Sequence, residues 1–97
     1  MSTYITLYNW TQKGIEQIKE SPSRLDAAKE AVQAMGGKVL GFYLVQGRYD
    51  MVVVSEGPDD ETAAKIALAI GSKGAVRSET MRAYTEDEFR KIISELP

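Results

Sequence analysis

The side chains able to do acid–base or anion chemistry fall in two short stretches. The first is the polar break QGRYD between two apolar runs, GFYLV and MVVVS, within Gly41–Glu56. It offers Arg48 for an anion, and the Tyr49 hydroxyl and Asp50 carboxylate for the rim of a pocket. The second is AVRSETMRAY, Ala75–Tyr84, a strand pattern with Arg77 and Glu79 on one face and Arg82 on the other. A guanidinium in either place can hold a carboxylate or phosphate through two parallel hydrogen bonds. Each group also has a plainer use. Gly47-Arg48 suits a two-residue turn, Asp50 can accept backbone or arginine hydrogen bonds, and Tyr49 can pack at an interface. Charges on a strand also discourage unwanted edge pairing. Arg48, Tyr49, Asp50, Arg77 and Arg82 are the candidate ligand-binding residues, and no catalytic residue is assigned.

Much chemistry is excluded outright. The chain has no Cys and no His, so it has no disulfide, thiolate nucleophile, usual zinc site, Ser-His-Asp triad or histidine haem ligand. Asp59, Asp60 and Glu61 are consecutive acids, but they read as charges at a helix N-terminus, and no calcium-type ligand spacing surrounds them. No metal and no cofactor is expected. The net charge is −2 without clustered Lys and Arg, so neither nucleic acid nor an anionic membrane is an expected partner. The first residues, MSTYITLYNW, lack the basic-then-apolar form of a signal peptide, and no membrane span is predicted. The reading is a soluble cytoplasmic protein.

These groups need elements to hold them. Thr3–Asn9 alternates Tyr4, Thr6, Tyr8 with Ile5, Leu7 and predicts a strand. Thr11 can cap a short helix that Gly14 weakens. Ser21-Pro22 predicts a helix start with Ser as cap. Leu25, Ala28, Val32 and Met35 recur at helical spacing, and Gly36-Gly37 ends that helix. Lys38–Val45 and Asp50–Glu56 are the second and third strands. Ala63, Ile66, Ala67 and Ile70 form the stripe of a second main helix, whose small side chains allow close approach to a sheet. Ala75–Tyr84 is the fourth strand. Thr85 and Glu88 make a capping-box pattern before an amphipathic helix with Phe89, Ile92, Ile93 and Leu96.

The order β-α-β-β-α-β with an extra C-terminal helix predicts a single α+β domain, residues 1–97. It is a ferredoxin-like sandwich with a four-stranded antiparallel sheet and the main helices on one face. Right-handed crossovers put the third strand between the first and second. One sheet face is then without helices. Strand three shows Met51 and Val53 on one side and Val52 and Val54 on the other. Strand two sets Leu40, Phe42 and Leu44 against Val39, Tyr43 and Val45. A sheet with one solvated face should alternate apolar and polar, and this one does not. The open face is expected to be covered by a second copy, as a homodimer or higher homo-oligomer. The alternative is that Thr11–Glu20 or Thr85–Leu96 folds back over it.

YITLYNWTQKGIEQIKESPSR, GGKVLGFYLVQGRYDMVVVSEGPD and ALAIGSKGAVRSETMRAYTEDEF together resemble the GYD domain family across nearly the whole chain. Its name-giving motif stands here as Gly47, Tyr49 and Asp50. The resemblance implies kinship with the dimeric α/β-barrel superfamily, in which two ferredoxin-like sheets pack face to face. That superfamily holds ligand-sensing domains of Lrp/AsnC regulators, small monooxygenases and isomerases, so fold alone selects no activity. Three functions stay open. One is a self-associating binding or regulatory module, with a small-molecule, anionic ligand as a further partner. The second is a small cofactor-independent oxygenase or isomerase using Tyr49, Asp50 and Arg82, in which a buried carboxyl with a raised pKa serves as base. The third is an architectural subunit of a larger assembly.

Overall fold

The computed structural model describes residues 1–97. Strand β1 (Ser2–Trp10) leads into a short helix α1 (Gln12–Glu16), then a 3-10 turn (Ile18–Glu20) and helix α2 (Ser21–Ala34). Strands β2 (Lys38–Leu44) and β3 (Met51–Gly57) follow, then helix α3 (Asp60–Gly71), strand β4 (Val76–Ala83) and helix α4 (Glu86–Ser94). The antiparallel sheet has the order β2-β3-β1-β4, so β3 stands between β1 and β2 as the crossover rule requires. This is the ferredoxin-like α+β arrangement.

The registers sort side chains to two faces. On β1, Tyr4, Thr6, Tyr8 and Trp10 face the helices, as do Met51 and Val53 on β3. Ile5, Leu7, Val52 and Val54 face the other way. Strand β2 departs from simple alternation. Val39 pairs with Ser55 but Gly41 pairs with Val54, so Leu40 is an extra residue in a bulge. A bulge shifts the pleat by one. Val39 and Phe42 therefore share the helix side, where unbroken alternation would have opposed them.

Local signals explain most element ends. Thr11 caps α1, its hydroxyl accepting the Gly14 N–H at 3.2 Å. Gly36 takes φ +87° after α2, the left-handed ending that glycine adopts without strain. Ser21 is not the cap of α2. The 3-10 turn already supplies helical geometry, Glu20 is the capping residue, and Ser21 is itself helical. Its hydroxyl instead accepts the Trp10 indole N–H at 3.3 Å.

Asp59 caps α3 by accepting the Thr62 N–H at 2.8 Å. Thr85 and Glu88 form a reciprocal capping box on α4. These backbone bonds hold both the Asp59 and Glu88 carboxyls below their ordinary pKa. Their contribution is therefore present above the unfolded carboxylate pKa and is lost as pH falls through the lower folded value. Acidification below the ordinary carboxylate range should shift the Thr62 and Thr85 amide resonances, whose N–H groups donate to Asp59 and Glu88. Glu88→Gln should abolish the Thr85 response and spare that of Thr62.

Helix α2 lies over β2, and α3 over β4 and β3. The layer between them is thin. Seven of 97 residues are buried, and no large side chain is wholly enclosed. The alanines of α2 and α3 do not bring the helices down onto the sheet. A cavity of about 220 Å³ remains between the layers. Helix α4 packs extensively on no other element, and Phe89, Ile92, Ile93 and Leu96 are 43–61% exposed. Neither α4 nor α1 covers the open sheet face, where Tyr43 is 60% and Met81 41% exposed.

Candidate functional site

The β2–β3 connection is wider than the two-residue turn its sequence suggests. The Val45 N–H donates to the Asp50 carbonyl at 2.8 Å and closes a four-residue loop, Gln46–Tyr49. Gly47 has φ +134°, a conformation that side-chain-bearing residues avoid. Asp50 then pins the hairpin to the end of β1. Its N–H donates to the Tyr8 carbonyl at 2.9 Å, and its Oδ2 accepts the Trp10 N–H at 3.0 Å. The carboxylate continues the ladder where β3 has stopped supplying carbonyls.

Tyr49 does something different. Its hydroxyl donates to Glu79 Oε2 at 2.7 Å. Glu79 lies on β4 opposite Leu7 of β1, so this contact spans from the β2–β3 loop across β1 to the sheet's far edge. The hydrogen bond to Glu79 is the main cause of a raised Tyr49 pKa, with Arg48 acting in the opposite direction. Arg77 stands two positions from Glu79 on the same face, opposite Asn9. The loop and β4 thus gather Arg48, Tyr49, Arg77 and Glu79 at one end of the open face.

Arg82 belongs elsewhere. It is opposite Tyr4, on the helix side and toward the other end of β4. Its guanidinium lies 4.3 Å from the Tyr84 ring centroid and 5.9 Å from that of Tyr4. It donates to the Ala83 carbonyl and approaches Glu88 at 3.9 Å. Such stacking and pairing tie β4 to the start of α4. The five candidate residues therefore split into three settings: Arg48, Tyr49 and Arg77 with the open face, Asp50 in the backbone clip, and Arg82 at the opposite end.

The GYD domain pattern matches residues 4–93 of this sequence. The chain belongs to the GYD domain family. The three letters of the family's name carry separate duties in this GYD protein: Gly47 shapes the loop, Tyr49 reaches β4, and Asp50 clips the hairpin to β1. The chain is 34% identical over 84 residues to the "glutamine synthetase and cystathionine beta-lyase binding protein" of Thermus thermophilus, covering 86% of this chain and 88% of that one. It is also similar to the crystal structure of TTHA0845 from Thermus thermophilus, with TM-score 0.56 and 26% identity over 88% of this chain and 95% of that one. The leucine response regulatory protein of Mycobacterium tuberculosis shares the fold at TM-score 0.57 and 14% identity. That match covers 87% of this chain and 51% of the other.

Reading residues alone assigned Glu79 to edge defence. Its position on the edge strand β4 fits that use, yet it is also the partner of Tyr49. The signal was a Tyr in the β2–β3 connection and a Glu on β4, and only the sheet order brings them together. The three consecutive acids are each engaged: Asp59 with Thr62, Asp60 with the Tyr4 hydroxyl at 2.6 Å, and Glu61 with Lys65 at 3.4 Å. Burial, then the bond to Asp60, raises the Tyr4 pKa. Tyr8, by contrast, is raised by burial alone.

Asp50→Ala should expose the cost of the clip. The half-buried Trp10 N–H loses its acceptor, which costs about 1–3 kcal/mol. Asp50→Asn keeps an acceptor oxygen and should cost less than half as much. Chemical denaturation of both variants measures the difference.

Proposed function

We propose that this GYD protein is a self-associating binding or regulatory module, built by packing its open sheet face against that of a second copy. The observation that carries this reading is the bare apolar face formed by Ile5, Leu7, Val52, Val54, Tyr43 and Met81. Exposed area supports it. The chain exposes 6788 Å², whereas a compact monomer of its 10.7 kDa mass exposes about 5,500 Å². The excess of about 1,300 Å² exceeds the roughly 800 Å² per partner of an ordinary stable interface. The Cα radius of gyration, 14.6 Å, is likewise above the about 12.5 Å of a compact domain this long.

Protein binding is the second part of the reading. It draws on the 34% identical relative, whose name states that it binds glutamine synthetase and cystathionine beta-lyase. By this likeness the assembled module docks on enzymes. A small anion is the proposed ligand at the end of the face, held by Arg48 and Arg77 with Tyr49 at the rim; Asp50 supports that loop, and Arg82 serves the far end. In an assembly, these arginines would be partly desolvated and the pairing strengthened. The enzyme reading is less well supported, because neither Asp50 nor Arg82 lines the interlayer cavity.

Sedimentation equilibrium at micromolar concentration tests the first part. A mass of at least twice 10.7 kDa is expected, and a monomer would remove the sheet-to-sheet reading. Co-sedimentation with purified glutamine synthetase tests the second part separately.

A further inference from the structure

We infer that the cavity between the helices and the sheet is a binding site for a compact, neutral, ring-containing molecule bearing one hydroxyl or carbonyl. The site is inside one protomer. Packing the open sheet face against a second copy leaves it unfilled, so this inference does not rest on self-association.

Three features define the ligand. The first is size. The cavity measures about 220 Å³, and an apolar cavity of about 150 Å³ accepts benzene. There is room for a substituted or fused ring, and far too little for a nucleotide or a peptide. The room exists because the helices present alanines, Ala28 of α2 and Ala67 of α3, opposite Phe42 and Val53 of the sheet. The second feature is charge. Arg24 lines the cavity but already donates to Gln17 and to Glu20, the latter at 3.2 Å. Tyr4 is committed to Asp60 and Trp10 to Ser21. Lys29, Glu56 and Lys73 also contribute to the lining, but both lysines are exposed to water and the charges are of both signs, so the lining selects no ionic ligand.

The third feature is the polar capacity left over. Thr6 and Thr80 meet at 3.3 Å, which uses one hydroxyl proton and leaves the other hydroxyl free to donate. Tyr8 also lines the cavity, and its hydroxyl has no partner in the chain. Tyr8 and Thr6 are alternate residues of β1, so their anchor points lie about 7 Å apart along one wall. That hydroxyl is open to water, and a hydroxyl or carbonyl on the guest can take the water's place. Apolar walls with a few convergent polar groups are the usual form of a small-molecule site.

Titration of the full chain with 2-naphthol and with naphthalene, followed by amide resonances, tests the inference. Saturable shifts centred on Thr6, Ala28 and Thr80 are expected for both probes, with 2-naphthol the tighter. Ala28→Phe fills the cavity and should weaken both probes more than tenfold. Tyr8→Phe should weaken 2-naphthol about fivefold, the size of one ordinary hydrogen bond, and leave naphthalene unchanged. The Tyr8→Phe comparison decides the matter even if Ala28→Phe does not fold. Absence of saturable binding to the parent chain overturns the inference. So does undiminished affinity in folded Ala28→Phe, or equal weakening of both probes by Tyr8→Phe.

Discussion

Under the proposed sheet-to-sheet packing, Val54→Asp is expected to run as a monomer at concentrations where the parent chain associates. Val54 is on β3, opposite Ile5 of β1 and Gly41 of β2. β3 and β1 are the two inner strands of the sheet, so Val54 is near the middle of the open face. In the free monomer the aspartate meets water, and the local penalty is the modest β-propensity difference, about 1 kcal/mol. In the sheet-to-sheet assembly the same carboxylate must be desolvated, at several kcal/mol per ion. An interface with twofold symmetry repeats the substitution on both sides. Taking only about 4 kcal/mol in total, association weakens about a thousandfold. Val54→Thr keeps the shape and adds one hydroxyl, so its effect should be much smaller. Sedimentation with circular dichroism separates loss of assembly from loss of fold. If Val54→Asp stays folded and stays assembled, the open face is not the contact.

The architecture was legible because several independent signals agree. Alternation in Thr3–Asn9, the apolar Val52–Val54 run and the Thr85/Glu88 box each mark an element through residues close in sequence. The β-α-β-β-α-β succession, read as a split βαβ pair with right-handed crossovers, then gives the strand order that the sheet shows. What was not legible depends on contacts between distant residues. The Leu40 bulge reverses the parity of β2, and nothing beside it but Gly41 hints at the extra residue. The alanines of α2 and α3 promised close approach, but spacing along a helix does not reveal how far it stands from the sheet. The site suffered the same limit. Arg48, Tyr49 and Asp50 are neighbours in sequence, yet the loop sends Asp50 back to Trp10 and Tyr49 outward to Glu79. Arg77 and Arg82 share a strand but not a face or an end.

Gly14→Ala should be among the most damaging small substitutions in the chain, although Ala is the better helix former. Sequence alone makes Gly14 a weak point of a short helix. The structure gives it a necessary role. A Cβ there would stand 2.1 Å from the Ala75 carbonyl oxygen, 3.1 Å from its carbon and 3.0 Å from Trp10 Cδ1. The oxygen and carbon are backbone and cannot swing aside. Ala75 is itself buried, and its carbonyl accepts the Thr11 N–H at 3.0 Å. The Thr11 hydroxyl donates to the Gly74 carbonyl at 2.5 Å, and Lys13 Nζ to the Lys73 carbonyl at 3.0 Å. Helix α1 is thus laced to the entry of β4 by three successive carbonyls, with Gly14 at the closest point. To admit a methyl group, α1 must lift away, stretching the Thr11–Ala75 bond and loosening a buried carbonyl. Overpacking and a lost buried hydrogen bond together cost about 2–4 kcal/mol. For a domain of this length that lowers Tm by roughly 10–25 °C. Gly71→Ala is the matched comparison. Gly71 ends α3, and nothing lies within 4 Å of its added Cβ, so the same chemical change should stabilise by about 0.4–1 kcal/mol. Thermal melts of the two variants should move in opposite directions from the parent, and a Gly14→Ala protein melting with Gly71→Ala would mean that α1 does not hold β4 as described.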